Sequence, residues 1–299
     1  MEVNLELYKI FDAVARVKSF SGAAREMYIS QPAVSQSIRQ LEEALGTKLF
    51  VRGSKGISLT QEGQILWGYI SSALSLIKSG ERRISKLNDL GAGELRIGAN
   101  DTLTKVFLLP LVEEFHEKFP DVAISITNRT SGKTLKLLKE GKIDIGFVNM
   151  PLSAEGVLFE ECMPVHDVFI AGKKYSDLKG HKVSMSEVAA RPLIMLEQSS
   201  NSRHWVDRHF ASGGIVLTPE IEMSAHDLLV DYSRIGLGVA CVVREFLGDA
   251  LESGELFEID LDQPVPRRGV GVCYLENISL SAAAKRFVEM AKQSMSGEG

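Results

Sequence analysis

The chain has 299 residues, of which 44% are hydrophobic and 24% charged, with a formal net charge of -5. This length predicts two domains, or one domain with subdomains. The composition argues against a disordered chain, collagen-like repeats and a disulfide scaffold, and the three cysteines are expected to be free thiols.

Charge is distributed unevenly along the sequence. Residues 1–90 hold 12 basic and 9 acidic residues, whereas residues 91–299 hold 22 basic and 30 acidic residues. A net acidic chain would ordinarily argue against nucleic acid as a partner, but the first part alone is basic. The asymmetry predicts two parts with different partners.

No targeting or membrane segment is expected. The stretch Met1–Glu6 contains acids and no apolar core, so it does not resemble a secretory signal. The uncharged stretch Gly63–Ile77 is too short to span a bilayer. The expected location is therefore the cytoplasm, without a membrane partner.

Three helices are predicted at the start of the chain. Apolar residues recur at helical spacing over Leu5–Val17, a second, short helix is expected over 22–28, and a third ends near Leu45. Ser30 is a suitable N-cap for the third helix, and Gly46 provides the conformation that ends it.

The third helix has two distinct faces. The apolar face is expected to be core and comprises Val34, Ile38, Leu41 and Leu45. The opposite, polar face comprises Pro32, Ser35, Gln36, Arg39 and Gln40. Gln and Arg side chains on such a helix can bind base edges in the major groove of DNA. The alternative is a small helical domain with ordinary solvated faces.

A hairpin, or wing, is predicted after the third helix. Leu49–Arg52 and Ile57–Leu59 are short strand-like segments on either side of the glycine-containing turn Gly53–Gly56. Arg52 and Lys55 would lie at its tip, where cations suit phosphate or minor-groove contacts.

In the order of its residues, segment 2–66 resembles the N-terminal domain of LysR-type transcriptional regulators. The matching stretches are Leu5–Val17, Ser19–Ala24, Ser30–Ile38, Leu41–Gly46, Leu49–Arg52 and Leu59–Gly63. The resemblance implies a winged helix-turn-helix domain, mainly α, that binds an inverted repeat in double-stranded DNA. The DNA-binding candidates are Ser30, Gln31, Pro32, Ala33, Ser35, Gln36, Arg39, Arg52 and Lys55. Many relatives have Arg where this chain has Gln36, and Gln prefers adenine.

A long linker helix is predicted from about Gln61 to Asn88, with Thr60 as its cap. Along it, apolar or small residues alternate at spacings of four and three, as in a heptad seam: Leu66, Ile70, Ala73, Ile77, Gly80, Ile84 and Leu87. We favour a dimerising coiled coil over a helix packed on its own domain. The resemblance likewise implies paired linker helices, in a homodimer or homotetramer.

After Gly91–Gly93, strands alternate with helices, which predicts parallel βαβ units. The chain is expected to cross between two lobes at Cys162–Pro164 and Pro264–Pro266. The predicted parts are a DNA-binding domain (1–59), a linker helix (60–90) and an effector domain (91–299), with lobe I over 91–163 and 267–299 and lobe II over 164–266. This region resembles the α/β, two-lobed, periplasmic-binding-protein-like effector domain of the same family, which implies a small effector between the lobes.

Polar residues follow several of these predicted strands, where helix N-termini offer N–H donors. The effector-binding candidates are Asn100, Asp101, Thr102, Leu103, Thr104, Asn128, Arg129, Thr130, Asn149, Ser199, Ser200, Asn201, Ser202, Arg203, Ser224 and His226. Any single one could instead be only a cap or a turn. The two arginines and the helix N-termini motivate the hypothesis of a polar or anionic effector.

No motif indicates catalysis, a metal or a cofactor. His204 and His209 are five residues apart, which does not place two ligands on one helical face, and Gly236-Leu237-Gly238 lacks the third glycine of a dinucleotide site. Cys241 and Cys273 are expected in the core, and the cysteine spacing does not match a redox-sensing pair.

The favoured function is a sequence-specific DNA-binding regulator of transcription, controlled by an effector, with RNA polymerase as a further partner. The alternative is a solute-binding protein with a two-lobed α/β fold. An enzyme built on an α/β sheet would need a nucleophile or cofactor motif.

Overall fold

The computed structural model describes residues 3–53, 56–87 and 93–293. The chain divides into two units: Met1–Asn88 with Glu140–Lys142, and Asp89–Lys139 with Ile143–Gly299. Among the described residues, no helix has both the length and the apolar character that crossing a membrane requires.

The described part of the first unit consists of helices and one hairpin. Its elements are α1 (Leu5–Val17), α2 (Phe20–Glu26), α3 (Gln31–Leu45), β1 (Phe50–Gly53), β2 (Gly56–Leu59) and α4 (Gln61–Leu87). Side-chain oxygens of Asn4, Ser19 and Ser30 accept hydrogen bonds from the first turns of α1, α2 and α3. These caps satisfy N–H groups that a helix leaves unpaired, and the Ser19 cap explains why α2 begins before the expected position.

The core of this unit is formed by the apolar faces of α1, α2 and α3. Phe11, Val34 and Leu41 are completely buried. The apolar stripe predicted for α3 is confirmed except at Leu45, which is 39% exposed. Leu45 is the last helical residue, and the left-handed Gly46 (φ 68°) turns the chain away immediately after it.

The helix α4 packs on the same core through its first turns. Leu66, Trp67 and Ile70 contact the buried cluster, and the Trp67 Nε1–H donates to Asp12 Oδ1 at 2.9 Å. Two of the residues expected in a dimer seam, Leu66 and Ile70, therefore pack within their own domain. Further along the helix, Ala73, Ile77 and Ile84 are exposed, whereas the Leu87 side chain lies outside the described residues.

The second unit contains two five-stranded sheets. Its first elements are β3 (Glu94–Ala99), α5 (Asp101–Leu103), a π-helical turn (Thr104–Leu108), α6 (Leu109–Lys118), β4 (Ala123–Asn128), α7 (Ser131–Lys139), β5 (Ile145–Asn149) and β6 (Val157–Val165). The following elements are β7 (Asp167–Gly172), α8 (Met185–Ala189), β8 (Leu193–Leu196), α9 (Asn201–Ser212), β9 (Ile221–Met223), α10 (His226–Arg234), β10 (Val239–Val243), β11 (Leu256–Ile259), β12 (Arg268–Leu275) and α11 (Ala282–Gln293). Short 3-10 turns occupy Lys173–Leu178, Arg244–Phe246 and Gly248–Leu251.

Both sheets are mixed, so the prediction of parallel units was only partly correct. The first sheet has the order β4-β3-β5-β12-β6, with β3 parallel to β4 and β5, and β12 antiparallel to β5 and β6. The second has the order β11-β7-β10-β8-β9, with β10 parallel to β8 and antiparallel to β7. The antiparallel strands β6, β7, β11 and β12 flank the two passages of the chain between the sheets.

One of the expected passages between the sheets is displaced. The segment Cys162–Pro164 lies inside β6, where Pro164 pairs with Gly269, and the chain changes sheet at His166. Burial along β6 does not alternate, so its sequence lacks the period of an ordinary strand. The return passage, between β11 and β12, contains Pro264–Pro266.

Candidate DNA-binding face and effector cleft

The polar face of α3 is open to solvent. Gln31, Pro32, Gln36 and Arg39 are exposed, and Ala33 and Ser35 are half-buried beside them. Ser30 acts as the cap, its Oγ accepting from Ala33 N–H at 3.3 Å, while the Gln31 side-chain amide donates to Ser35 Oγ at 3.2 Å. Residues of the predicted DNA-binding set thus lie on one helix whose other face is core.

Glu42, which sequence reasoning did not single out, joins α3 to the wing. Its carboxylate accepts from Leu49 N–H at 2.9 Å and from Lys48 Nζ at 2.6 Å. Burial alone would raise the pKa of Glu42, but the hydrogen bonds from Lys48 and Leu49 outweigh it and lower the pKa. The ionised side chain therefore fixes the start of β1 against the helix.

The wing is a two-stranded antiparallel hairpin. Within β1, the backbone of Arg52 pairs with Ile57, and Gly53 pairs with Gly56. The side chain of Arg52 and the whole of Lys55 lie outside the described residues.

In the second unit, the residues after β3 have local structural roles. Asn100 Oδ1 accepts from Leu103 N–H at 2.8 Å, and the Thr104 hydroxyl donates to Asn100 O at 2.8 Å. Leu103 is buried in the core, whereas Asp101 is exposed and Thr102 half-buried. Asn100, Leu103 and Thr104 thus build the start of a helix.

After β4, the candidates Asn128 and Arg129 are exposed and Thr130 is half-buried. The guanidinium of Arg129 donates to its neighbour's carbonyl, Asn128 O, at 2.6 Å. Since this contact is local and exposed, Arg129 remains accessible to a ligand.

Asn149 and Asn201 bring the ends of the two sheets together. From the first turn of α9, the Asn201 side-chain amide donates to the backbone carbonyls of Asn149, the last residue of β5, and of Pro151 just beyond it. A second contact between the lobes, missed by sequence reasoning, joins Lys105 Nζ to Asp227 Oδ2 at 2.6 Å. The carboxyl end of β5 and the N-termini of α9 and α10 therefore border one cleft.

The serines predicted in the second lobe differ in environment. Ser199 is exposed, with its hydroxyl donating to Glu197 Oε1 at 2.9 Å, and Ser224 is exposed ahead of α10. Ser200 occupies the N-cap position of α9 but makes no side-chain cap hydrogen bond. Ser202 is buried and lines a small cavity at the start of the same helix.

Arg203 does not present a bare cation to the cleft. Its side chain is 2% exposed, its Nε donates to Asp207, and its Nη1 donates to Glu222 Oε1 at 2.6 Å and to Leu196 O at 2.9 Å. Burial alone would lower the pKa of Arg203, but the two carboxylates raise it. Arg203 is thus already neutralised by protein groups, which removes one of the reasons for expecting an anionic effector.

His226 begins α10 and is buried, with 3% of its surface exposed. Its Nε2 accepts a hydrogen bond from Val243 N–H at 2.9 Å. Burial lowers the pKa of His226 to about 4, so the ring is neutral near pH 7. His226 is thus an effector candidate that is both buried and neutral.

Arg268 and Asp167 are buried residues of the cleft region that the sequence analysis did not identify. Arg268 donates to both carboxylate oxygens of Asp167 and to Asn149 Oδ1. The sequence feature that could have identified Arg268 is its position at the start of an otherwise apolar strand. In the described ranges 3–53, 56–87 and 93–293, no cluster of His, Cys, Asp or Glu side chains could hold a metal ion.

Two family models match the chain. Residues 5–64 match the bacterial regulatory helix-turn-helix protein, lysR family, and residues 88–296 match the LysR substrate binding domain. The chain is 29% identical to the HTH-type transcriptional regulator CbbR of Rhodospirillum rubrum, over 97% of this chain and 96% of that protein. It is 27% identical to the HTH-type transcriptional activator CmpR of Synechocystis sp., over 96% and 94% respectively.

The fold is also shared with a solved structure. Full-length CbnR in complex with its target DNA superposes with a TM-score of 0.64 at 19% identity, over 97% of this chain and 99% of that one. The substrate-domain model alone covers more than half of the chain, and both relatives are named as regulators instead of enzymes. The chain therefore belongs to the LysR family, as a transcriptional regulator that joins a DNA-binding helix-turn-helix domain to an effector-binding α/β domain.

Proposed function

We propose that α3 enters the major groove of an inverted-repeat operator, with Pro32, Ser35, Gln36 and Arg39 facing the bases. The observation that carries this proposal is the exposure of Gln36 and Arg39 on a helix whose opposite face is buried. Ser30, Gln31 and Ala33 begin the same helix, where N–H groups suit phosphate contacts. Arg52 and Lys55 are assigned to the flanking groove.

The functional parts are a DNA-binding domain over 1–59, a linker over 60–90 and an effector domain over 91–299. Two chains pair through α4, and the exposed Ala73, Ile77 and Ile84 support this assignment. Pairing supplies the two DNA-binding domains that an inverted repeat requires, in a homodimer or a homotetramer. The regulator works in the cytoplasm, where its partners are operator DNA and RNA polymerase.

The effector occupies the cleft between the two sheets. Support comes from the residues that border it, namely Asn149, Asn201, Ser202 and His226, contributed by both lobes. A ligand that contacts both lobes would favour one arrangement of the lobes. A change in that arrangement would alter how the DNA-binding domains are disposed on the operator.

The test is a gel shift with the purified full-length chain and the DNA upstream of its own gene. We expect Gln36→Ala to weaken binding about tenfold or more, because a bidentate base contact contributes about 1–3 kcal/mol. The matched control is Gln263→Ala, which alters an exposed glutamine of the other unit. Equal binding by the Gln36→Ala protein and the parent would overturn the assigned orientation of α3.

A further inference from the structure

His226 holds a buried hydrogen-bond donor that has no partner. Because its Nε2 accepts from Val243 N–H, the hydrogen of the neutral ring is on Nδ1. Among the described residues, that buried Nδ1 makes no hydrogen bond. A buried donor without a partner costs free energy, so it indicates a place where a partner from outside the chain binds.

His226 lines a small cavity on the second-lobe side of the effector cleft. Asp167, Ser202, Arg203 and Cys241 line it together with apolar residues such as Met195, and the cavity leaves about 10 Å³ for the centre of a water-sized group. That volume suits one oxygen atom.

Two helices begin at this cavity. Ser202 and Arg203 belong to the first turn of α9, and His226 is the first residue of α10. Neither N-cap residue, Ser200 or Ala225, makes a side-chain hydrogen bond to its helix. Both helix ends therefore direct the positive end of their dipoles toward the site, which favours a negatively charged acceptor.

The nearby cations are each neutralised by protein carboxylates. Arg203 is bound by Asp207 and Glu222, and Lys105 pairs with Asp227. Asp167 lines the cavity, but both of its carboxylate oxygens accept from Arg268. What the site offers an incoming group is consequently N–H donors and helix ends instead of a salt bridge.

We propose that this cavity receives one oxygen atom of a small oxyanion, bound by the Nδ1–H of His226 and the N-termini of α9 and α10. The inference rests on the proposed function, since the cavity is part of the effector cleft, and it assigns Arg203 a structural role there. Burial lowers the pKa of His226 to about 4, so the donor is present throughout the neutral pH range and affinity does not change with pH there.

Two substitutions distinguish the roles of the two ring nitrogens of His226. In His226→Gln, the amide oxygen can still accept from Val243 N–H, but the donor at the position of Nδ1 is lost. In His226→Asn, the shorter amide places an N–H near the position of Nδ1 and gives up the contact with Val243. A purely structural histidine should tolerate the first change better, whereas an oxyanion-binding histidine should tolerate the second.

The experiment titrates full-length parent and variant chains with sulfate and acetate against chloride at equal ionic strength, following thermal unfolding. Acetamide, the neutral counterpart of acetate, tests whether negative charge matters. We expect saturable stabilisation of the parent by an oxyanion and not by acetamide, about tenfold weaker binding by His226→Gln, and affinity near the parent's for His226→Asn.

Three results would overturn the proposal: no saturable oxyanion binding by the parent, equal binding by His226→Gln, or a ¹⁵N spectrum that places the ring hydrogen on Nε2. A parent chain that binds oxyanion but fails to bind operator DNA would instead refute the proposed function.

Discussion

Arg268 and Asp167 form a bidentate ion pair that joins the two sheets of the effector domain. The Nε–Oδ2 and Nη2–Oδ1 distances are 2.6 and 2.8 Å, and the two side chains are 0% and 3% exposed. Arg268 begins β12 in the first sheet, and Asp167 begins β7 in the second. The third contact, from Nη1 to Asn149 Oδ1 at 2.8 Å, extends the pair to the end of β5.

Removing Arg268 should strongly destabilise the effector domain. In Arg268→Met, the Asp167 carboxylate stays buried without its cation, and we expect the free energy of unfolding to fall by about 3–5 kcal/mol. Urea unfolding of the full chain measures this. The control, Lys182→Met, breaks the exposed Lys182–Asp260 pair and should have little effect. The double variant Arg268→Met/Asp167→Leu should recover much of the loss; if it does not, an unpaired charge is not the cause.

Pairing of chains should depend on the exposed isoleucines of α4. Ile77 and Ile84 are 44% and 66% exposed in the single chain, so a charge there costs the monomer little but would be buried in a paired seam. We expect Ile77→Asp to shift the protein toward monomers in sedimentation velocity. Ile65→Asp alters another exposed isoleucine of the same helix, 59% exposed and outside the seam, and should leave the oligomeric state unchanged. Identical shifts for both variants would count against the seam.

Stability should depend on pH through His226. Burial lowers its pKa from 6.5 to about 4, so the unfolded chain takes up the proton at higher pH than the folded one. The resulting contribution is complete above pH 6.5 and is lost as the pH falls toward 4, by about 3 kcal/mol in total. Urea unfolding at pH 7 and at pH 4.5 should show a steeper loss for the parent than for His226→Gln. Parallel losses would show that this ring does not titrate as described.

The cysteines should be unreactive in the folded chain. All three are buried, and burial raises the pKa of Cys162 to about 11 and that of Cys273 to about 12, while Cys241 is also raised. Because the thiolate is the reactive form, we expect negligible alkylation by iodoacetamide at pH 8 until the protein is unfolded. Rapid labelling of Cys162 in the native chain would instead favour a thiol-based sensor.

The DNA-binding domain could be predicted from sequence because its signals are local. Caps such as Ser30 and Gly46, and the stripe formed by Val34, Ile38 and Leu41, each involve residues within a few positions of one another. Glu42 was missed since its partners, Lys48 and Leu49, lie across a turn that helical periodicity does not describe.

The effector domain was predicted less completely because its decisive contacts are distant in sequence. The sequence position of Arg203 predicts an anion ligand, but Glu222, in the strand β9, binds its guanidinium. His226 was placed in the cleft by its position after a strand, but its donor nitrogen is determined by Val243. The antiparallel pairing of β12 with β5 and β6 joins segments that no local pattern relates.

The position of β12 between β5 and β6 constrains the order in which a newly synthesised chain can fold. On a ribosome, β6 is made long before β12, yet β12 is the strand next to it in the sheet. Until Arg268–Leu275 emerges, β5 has an open edge and β6 has no neighbour, whereas the DNA-binding domain already has all of its described elements. A ribosome-bound chain can therefore hold every described element of its DNA-binding domain while the first sheet of its effector domain still lacks the strand between β5 and β6.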